Sequence, residues 1–423
     1  VATNSIGGGK NRMVLDAITR DSTIFEAWSD EPWVLDGAAV RVALICATSK
    51  ASNLASKLNG HDVSQIHPDL TGRSSAGDGE DLSKAKRLTE NRKICFVGTV
   101  KAGRFDIPGA QARALLAAPT NPNGQPNSDV IVPWFNGLDV VRRPQDKWII
   151  DFGVNEDLSK VELYEAPFQI VQQMVKPERS KVRRARYRDF WWLEAEPCVG
   201  MRDAIGRLKR FIAVPALAKH RVCVWLSSTI QPDHQLMAIA RDDDTSFGIL
   251  QSRFHQLWSL RMGTSPEDRP RYTPSTCFET FPFPAGLTPN IPAKNYADDP
   301  RARRIAAAAK RLNELREAWL NPPDLVRREA EVVPGYPDRI LPKDAKAAAI
   351  LKKRTLTNLY NERPAWLANA HQELDEAVAA AYGWPADLSD EEILKRLFDL
   401  NQERARARGE GKPAKSKAVP EEA

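Results

Sequence analysis

The tetrapeptide Phe281-Pro-Phe-Pro284 constrains this chain more than any other feature. Two prolines one residue apart cannot both sit inside a helix or a central strand, because each lacks a backbone donor and fixes φ. Whatever folds before the tetrapeptide ends there. On its N-terminal side strand and helix signals mix, with strand candidates at Trp148–Phe152, Phe211–Val214, Val222–Leu226 and Leu236–Ala240 and a helix over Ser246–Met262. Beyond Pro300 the pattern is helical. Ile305, Leu312, Leu315 and Trp319 share one stripe. A second helix is expected over Pro364–Tyr382, and a third opens with a capping box at Ser389 and Glu392. Residues 409–423 are charged and small, the composition of a disordered tail.

A second stop precedes these. Asn121-Pro-Asn-Gly-Gln-Pro-Asn-Ser128 is a dense turn cluster, and the domain boundary is placed there. Upstream, Val1–Ile6 reads as a strand. A helix from about Lys10 to Arg20 follows, with Met13, Val14, Ala17 and Ile18 on one face. Strands Ile24–Trp28 and Ala39–Cys46 flank a turn-rich connection at Ser29–Gly37. Residues 48–90 are poorly patterned, and Pro108 suits the start of a short helix over Ala110–Ala117. A chain that opens at Val1 in mid-strand is expected to continue toward the N-terminus. The organisation expected is 1–120, 121–290, a helical region 291–408 and the tail.

Composition excludes some classes. With 42% hydrophobic residues and eleven Trp in 423 residues, the chain is no disordered polypeptide. Its apolar runs stop far short of the ~20 residues of a membrane helix. Cys46, Cys95, Cys198, Cys223 and Cys277 lie far apart with no C-x-x-C pair, so the reading is a reducing, cytoplasmic compartment with no structural zinc. The net charge of +6 permits nucleic acid without requiring it.

Several motifs are decoys. Gly7-Gly-Gly-Lys10 lacks the spacing of a phosphate loop, and Asp242–Asp244 lacks the ligand spacing of a calcium loop. Asn321-Pro-Pro-Asp324 resembles the Asn-Pro-Pro-aromatic tetrapeptide of adenine methylation, but Asp cannot stack on a base; it reads as a helix stop.

The segment 176–188 carries a stronger signal. Lys176, Arg179, Lys181, Arg183, Arg184, Arg186 and Arg188 face one acid, Glu178, and Phe190-Trp191-Trp192 follow. Such a row matches a phosphate backbone, with the aromatics stacking on bases or anchoring the segment in the core. The other reading is a solvated basic helix. Two polar stretches suit base reading: Lys219 and His220 with His234 and Gln235, and the loop Arg261–Arg271, including Arg269 and Arg271. Ordinary surface loops are the alternative.

Four blocks, beginning at Val1, Ile24, Arg271 and Arg354, together resemble the MmeI-like adenine-N6 DNA methyltransferases over roughly Val1 to Arg408. In these proteins, which serve restriction–modification and phage defence, methylase and target-recognition regions share a chain. The resemblance implies α/β, α+β and all-α parts in turn: the end of a class I (Rossmann-like) methyltransferase sheet, a mixed α/β target-recognition domain and a helical C-terminal region. It implies double-stranded DNA as partner, S-adenosylmethionine as cofactor and no membrane. Trp33 matches an aromatic that supports the extruded adenine; its other role would be to cover the sheet edge. The family's cofactor loop and Asn-Pro-Pro-aromatic motif precede these blocks, so the chain alone is expected to be inactive, as a fragment or one subunit of a split enzyme with a separate catalytic subunit. A free-standing DNA-specificity subunit and a single-strand binder are the alternatives.

Overall fold

A computed structural model describes residues 1–7, 11–35, 38–50, 54–70, 72–73, 82–263 and 271–407. The first part is a five-stranded sheet in the order β1-β3-β2-β4-β5, formed by β1 (Ala2–Thr3), β2 (Ser22–Leu35), β3 (Ala38–Ser49), β4 (Ser56–Leu58) and β5 (His61–Val63). Helix α1 (Met13–Asp21) leads into β2, and β6 (Gln65–Ile66) and β7 (Gly72–Arg73) form a small ribbon. Val1–Ile6 is less of a strand than its apolar residues suggest, since a 3-10 turn starts at Asn4.

The expected turn at Ser29–Gly37 is instead strand as far as Leu35. β2 and β3 pair from Ser22↔Ser49 to Leu35↔Ala38, with register shifts at Ile24/Glu26 and Trp28/Glu31. Those bulges absorb the irregular residues. Pro32 is tolerated because β4 pairs with β2 only at Glu26 and Ala27, which leaves the strand an edge at the proline. The α1 stripe is also corrected: Leu15 is buried against Ile24, Ala27 and Ala43, while Met13, Val14 and Ile18 are exposed. Periodicity groups residues on a face but does not say which face is covered.

Two four-stranded sheets follow. One runs β14-β10-β11-β9, from β9 (Asp106–Pro108), β10 (Ile131–Phe135), β11 (Lys147–Ile150) and β14 (Gln231–Pro232). The other runs β13-β12-β15-β8, from β8 (Cys95–Val97), β12 (Arg210–Pro215), β13 (Val224–Ser227) and β15 (Leu236–Ile239). Segments before residue 121 thus lie in both sheets. The turn cluster at 121–128 joins α2 (Gly109–Leu116) to β10, and both pack on one core with Phe105, Trp148, Trp191 and Trp192. Short helices α3 (Gly137–Val141), α4 (Leu158–Val161), α5 (Glu165–Met174), α6 (Lys176–Arg179), α7 (Ala185–Asp189) and α8 (Val199–Ile205) fill the connections.

The largest core lies where the β12–β15 sheet meets helices from far along the chain. The helix expected over Ser246–Met262 is two, α9 (Asp244–Gln251) and α10 (Arg253–Met262). Ser252 breaks it with an extended backbone, its hydroxyl bonding Ile249 O and the next amide held by Asp375. Helix α9 is buried between the sheet and α11 (Pro300–Leu320), with Gly248 against Ile305, Ala309 and Leu374. The ribbon β16 (Val326–Glu329) and β17 (Arg339–Pro342) interrupts the helical region. Helices α12 (Ala345–Leu351), α13 (Leu356–Glu362), α14 (Ala365–Tyr382) and α15 (Asp390–Ala407) complete it. Asn321 ends α11 as the helix stop its sequence suggested. The tail after 407 lies outside the described residues. None of the described helices is long and apolar enough to cross a membrane.

Candidate nucleic-acid interface

Four consecutive residues, Gly98 to Lys101, organise the site. After β8, Gly98 N donates to Leu236 O (3.0 Å) and Thr99 N to Pro232 O (2.9 Å), while His234 N donates back to Thr99 O (2.9 Å). Val100 exchanges two 3.0 Å bonds with Glu196. Lys101 O accepts from Arg179 Nη2 at 2.8 Å. The three Cα steps from Gly98 to Lys101 span at most on the order of 10 Å. The turn 231–235 and the basic segment 176–188, both singled out in the sequence, therefore hang from one short strap.

The basic segment is not one helix but two turns, α6 and α7, joined by irregular chain. Arg179 is corrected: it is buried, not DNA-facing. Its guanidinium donates to the carbonyls of Lys101 (2.8 Å), Leu193 (3.2 Å) and Tyr187 (3.4 Å), and burial lowers its pKa. A long side chain with a planar fork of donors can satisfy several carbonyls at once, which is why arginine fits here. Trp191 and Trp192 are also buried, so they anchor the segment, while Phe190, edge-on to Trp192 at 5.6 Å, stays partly exposed. Lys176 Nζ lies 4.9 Å above Trp191. Arg184 donates to Tyr187 Oη (2.9 Å), Arg186 pairs with Glu156 (3.0 Å) and Arg188 with Asp189 (3.2 Å). Lys181 and Arg183 are exposed, and among the described residues neither side chain makes a hydrogen bond or ion pair.

The turn is rigid for local reasons. Asp233 is buried; its carboxylate accepts from Gln235 N (3.0 Å) and meets His234 Nδ1 (3.0 Å), an Asx turn after which His234 and Gln235 are exposed. Gln235 O accepts from Ala216 N (2.7 Å), Tyr272 N donates to Ala216 O (2.8 Å), and Leu217 bridges to Arg271. The backbones of Gln235 and Arg271 thus flank Ala216 and Leu217, and His234, Gln235 and Arg271, the rim residues, are each exposed. Lys219 and His220 lie close by in sequence to Leu217, but both bond Asn361 Oδ1 at 2.8 Å, which ties them to α13. Arg269 falls outside the described residues. On such a rim the Gln amide offers one donor and one acceptor to an adenine edge, and the Arg guanidinium offers two donors to a guanine edge.

Trp33 is half-exposed near the tip of the β2–β3 hairpin, where it lines a shallow hollow with Trp28, Glu31, Pro32 and Leu44. It belongs to a strand rather than to a connection.

The sequence did not point to the polar group behind the rim. Glu194 Oε1 accepts from Gln231 Nε2 (2.8 Å) and Thr99 Oγ1 (3.3 Å), and Oε2 from Arg202 Nη2 (2.8 Å). Arg202 also pairs with Asp151. Burial, then the nearby Asp151 charge, pushes the Glu194 carboxyl up to about 8 against the pull of Arg202. A lone acid in the apolar run Trp191–Ala195 was the available signal. The folded state holds a proton that the unfolded chain releases above its ordinary carboxyl pKa, so this contribution to stability is complete below about pH 4.5 and lost as pH rises toward 8. Between pH 5 and 8 the wild type is expected to lose more thermal stability than Glu194→Gln, by an amount on the order of a few kcal/mol. Melting curves of both proteins across that range check it.

Among the described residues no group of three or more His, Cys, Asp or Glu is placed to hold a metal ion. The glycine run that begins at Gly7 continues into residues 8–10, which lie outside the described part.

No family model matches the chain. Over 158 residues it is 29% identical to DNA methyltransferase A of Bacillus subtilis (strain 168), a match that covers 37% of this chain and 13% of that protein. Among solved structures, the type IIL restriction–modification enzyme MmeI in complex with DNA has a similar fold, with a TM-score of 0.64 and 18% identity. The alignment takes in 96% of this chain and 49% of that one, so the chain spans about half the length of its structural relative. The resemblance to MmeI-like methyltransferases read from the residues is thus present in the fold along nearly the whole chain.

Proposed function

We propose that this chain is the DNA-recognising part of an adenine-N6 DNA methyltransferase of a restriction–modification or phage-defence system. The observation that carries the reading is the fold shared, over 96% of the chain, with an enzyme solved on DNA. The rim of His234, Gln235 and Arg271 would read base edges, and Lys181 and Arg183 would meet phosphates. Residues 121–290, joined by β8 and β9, would form most of the recognition domain, braced by the helices, and the five-stranded sheet within residues 1–120 the end of a Rossmann-like methylase sheet. Trp33 would support the extruded adenine. S-adenosylmethionine would supply the methyl group, bound by a part of the enzyme outside these residues or by a separate catalytic subunit. The 423 residues alone would bind duplex DNA without methylating it.

Binding to duplex DNA as a function of salt tests this. Each phosphate contact adds about 0.9 to the slope of log K against log salt. Lys181→Ala with Arg183→Ala is expected to lower the slope by about 2 and to weaken binding at low salt on all sequences alike. An unchanged slope would demote the segment to solvated surface. Tighter binding to single strands than to duplex would overturn the duplex reading itself.

A further inference from the structure

The buried group behind the rim sits where both DNA-facing elements attach. Gln231, which bonds Glu194, opens the turn that carries His234 and Gln235, and it pairs in register with Trp134 of β10. Its amide also donates to Thr99 Oγ1 (3.0 Å), on the strap from which the basic segment hangs. Glu194 itself lies two residues before Glu196, which bridges Val100 and accepts from Tyr187 Oη (3.2 Å) within the basic segment. Arg202 connects the same carboxylate to Asp151 at the end of β11. Thr99, Glu194 and Gln231 are almost completely buried. Side chains of similar volume without polar atoms would fill this space, and a buried polar network stabilises little compared with apolar packing. Its distinctive physical effect is directional: hydrogen bonds fix the angle between elements that dispersion forces would let slide.

We propose that Gln231 and Glu194 are positioning residues that set the base-reading turn at a fixed offset from the phosphate-binding segment. This rests on the DNA-reading function proposed above. With the offset fixed, phosphate contacts and base contacts are made together on one register of the duplex. With it loosened, the protein keeps its charge and its grip on the backbone but no longer presents His234 and Gln235 to the base edges at a defined height.

The test is selection from a random-sequence duplex library, followed by binding and salt titration on the selected site and on unrelated DNA. Gln231→Leu removes both amide bonds at nearly constant volume, and Glu194→Leu removes all three bonds to the carboxyl. Each is expected to lower the ratio of selected-site to unrelated-site affinity by about ten-fold or more, the cost of one to two mismatched base pairs, with affinity for unrelated DNA and the salt slope unchanged. Glu194→Gln keeps the shape and an acceptor oxygen and is expected to retain most of the discrimination. Melting curves identify any variant that fails to fold, and Thr99→Val, which removes one hydroxyl, then serves in its place. The proposal is overturned if folded variants select the same site with the same ratio, or if they lose affinity for both kinds of DNA equally. If the wild type shows no duplex binding at all, the functional reading fails rather than the positioning role alone.

Discussion

Arg179→Ala is expected to destabilise the protein by about 3–5 kcal/mol, although Arg179 belongs to a run of seven basic residues whose exposed members should tolerate the same change within about 0.5 kcal/mol. The reason is its place, not its charge. Its guanidinium bonds the carbonyls of Lys101, Leu193 and Tyr187 and packs near Phe105 and Tyr187. Truncation leaves those buried acceptors without donors and opens a void. Arg179→Met, which restores volume but no donors, should recover only a minor part of the loss. Chemical denaturation of the two variants beside Arg183→Ala measures it. A shift for Arg179→Ala no larger than that for Arg183→Ala would mean that the residue is not the bolt described here.

Gly98→Ala should be nearly as costly, about 3 kcal/mol, and should also disturb the rim. A Cβ on Gly98 would fall inside van der Waals contact with the carbonyl oxygens of Pro232 and Asp233. These are backbone atoms and cannot swing aside. Relief requires the strap to part from the segment 232–236, breaking the bonds of Gly98 N to Leu236 O and Thr99 N to Pro232 O. The variant should therefore lose thermal stability and discrimination among DNA sequences together. That distinguishes it from Gln231→Leu, which should lose discrimination with little stability. A fully stable Gly98→Ala would show that the two strands separate more easily than their hydrogen bonds imply.

These cases also show what the sequence made legible. Strands with continuous apolar runs, such as Phe211–Val214 and Leu236–Ile239, were visible because they are covered on both faces, and the long helices because Ile305 and Leu312 recur on one stripe. Elements set by pairing partners were not. β8 and β9 are three residues each, and their role comes from β15 and β11 far along the chain. The β16–β17 ribbon was missed because two charged arginines occupy the middle of its first strand, and its attachment depends on Tyr336 bonding the carbonyls of Ser128 and Ile131. At the interface, composition found the segment 176–188 but could not separate Arg179 from its neighbours, since burial is a property of the fold. The rim was half legible: the residue types at His234, Gln235 and Arg271 were suggestive, while the backbone bonds through Ala216 that bring them together follow no local pattern.

The shared core of the β12–β15 sheet and the late helices bears on how the chain is made. Leu374 and Leu397 belong to the same buried cluster as Phe211 and Ile239. During synthesis the sheet leaves the ribosome with its apolar face uncovered and waits, on the order of ten seconds at ordinary elongation rates, for the helices that close over it. For that interval the nascent chain offers a sticky surface to chaperones and to other copies of itself. Yield in the cell should then depend on translation speed and temperature through this one delayed closure.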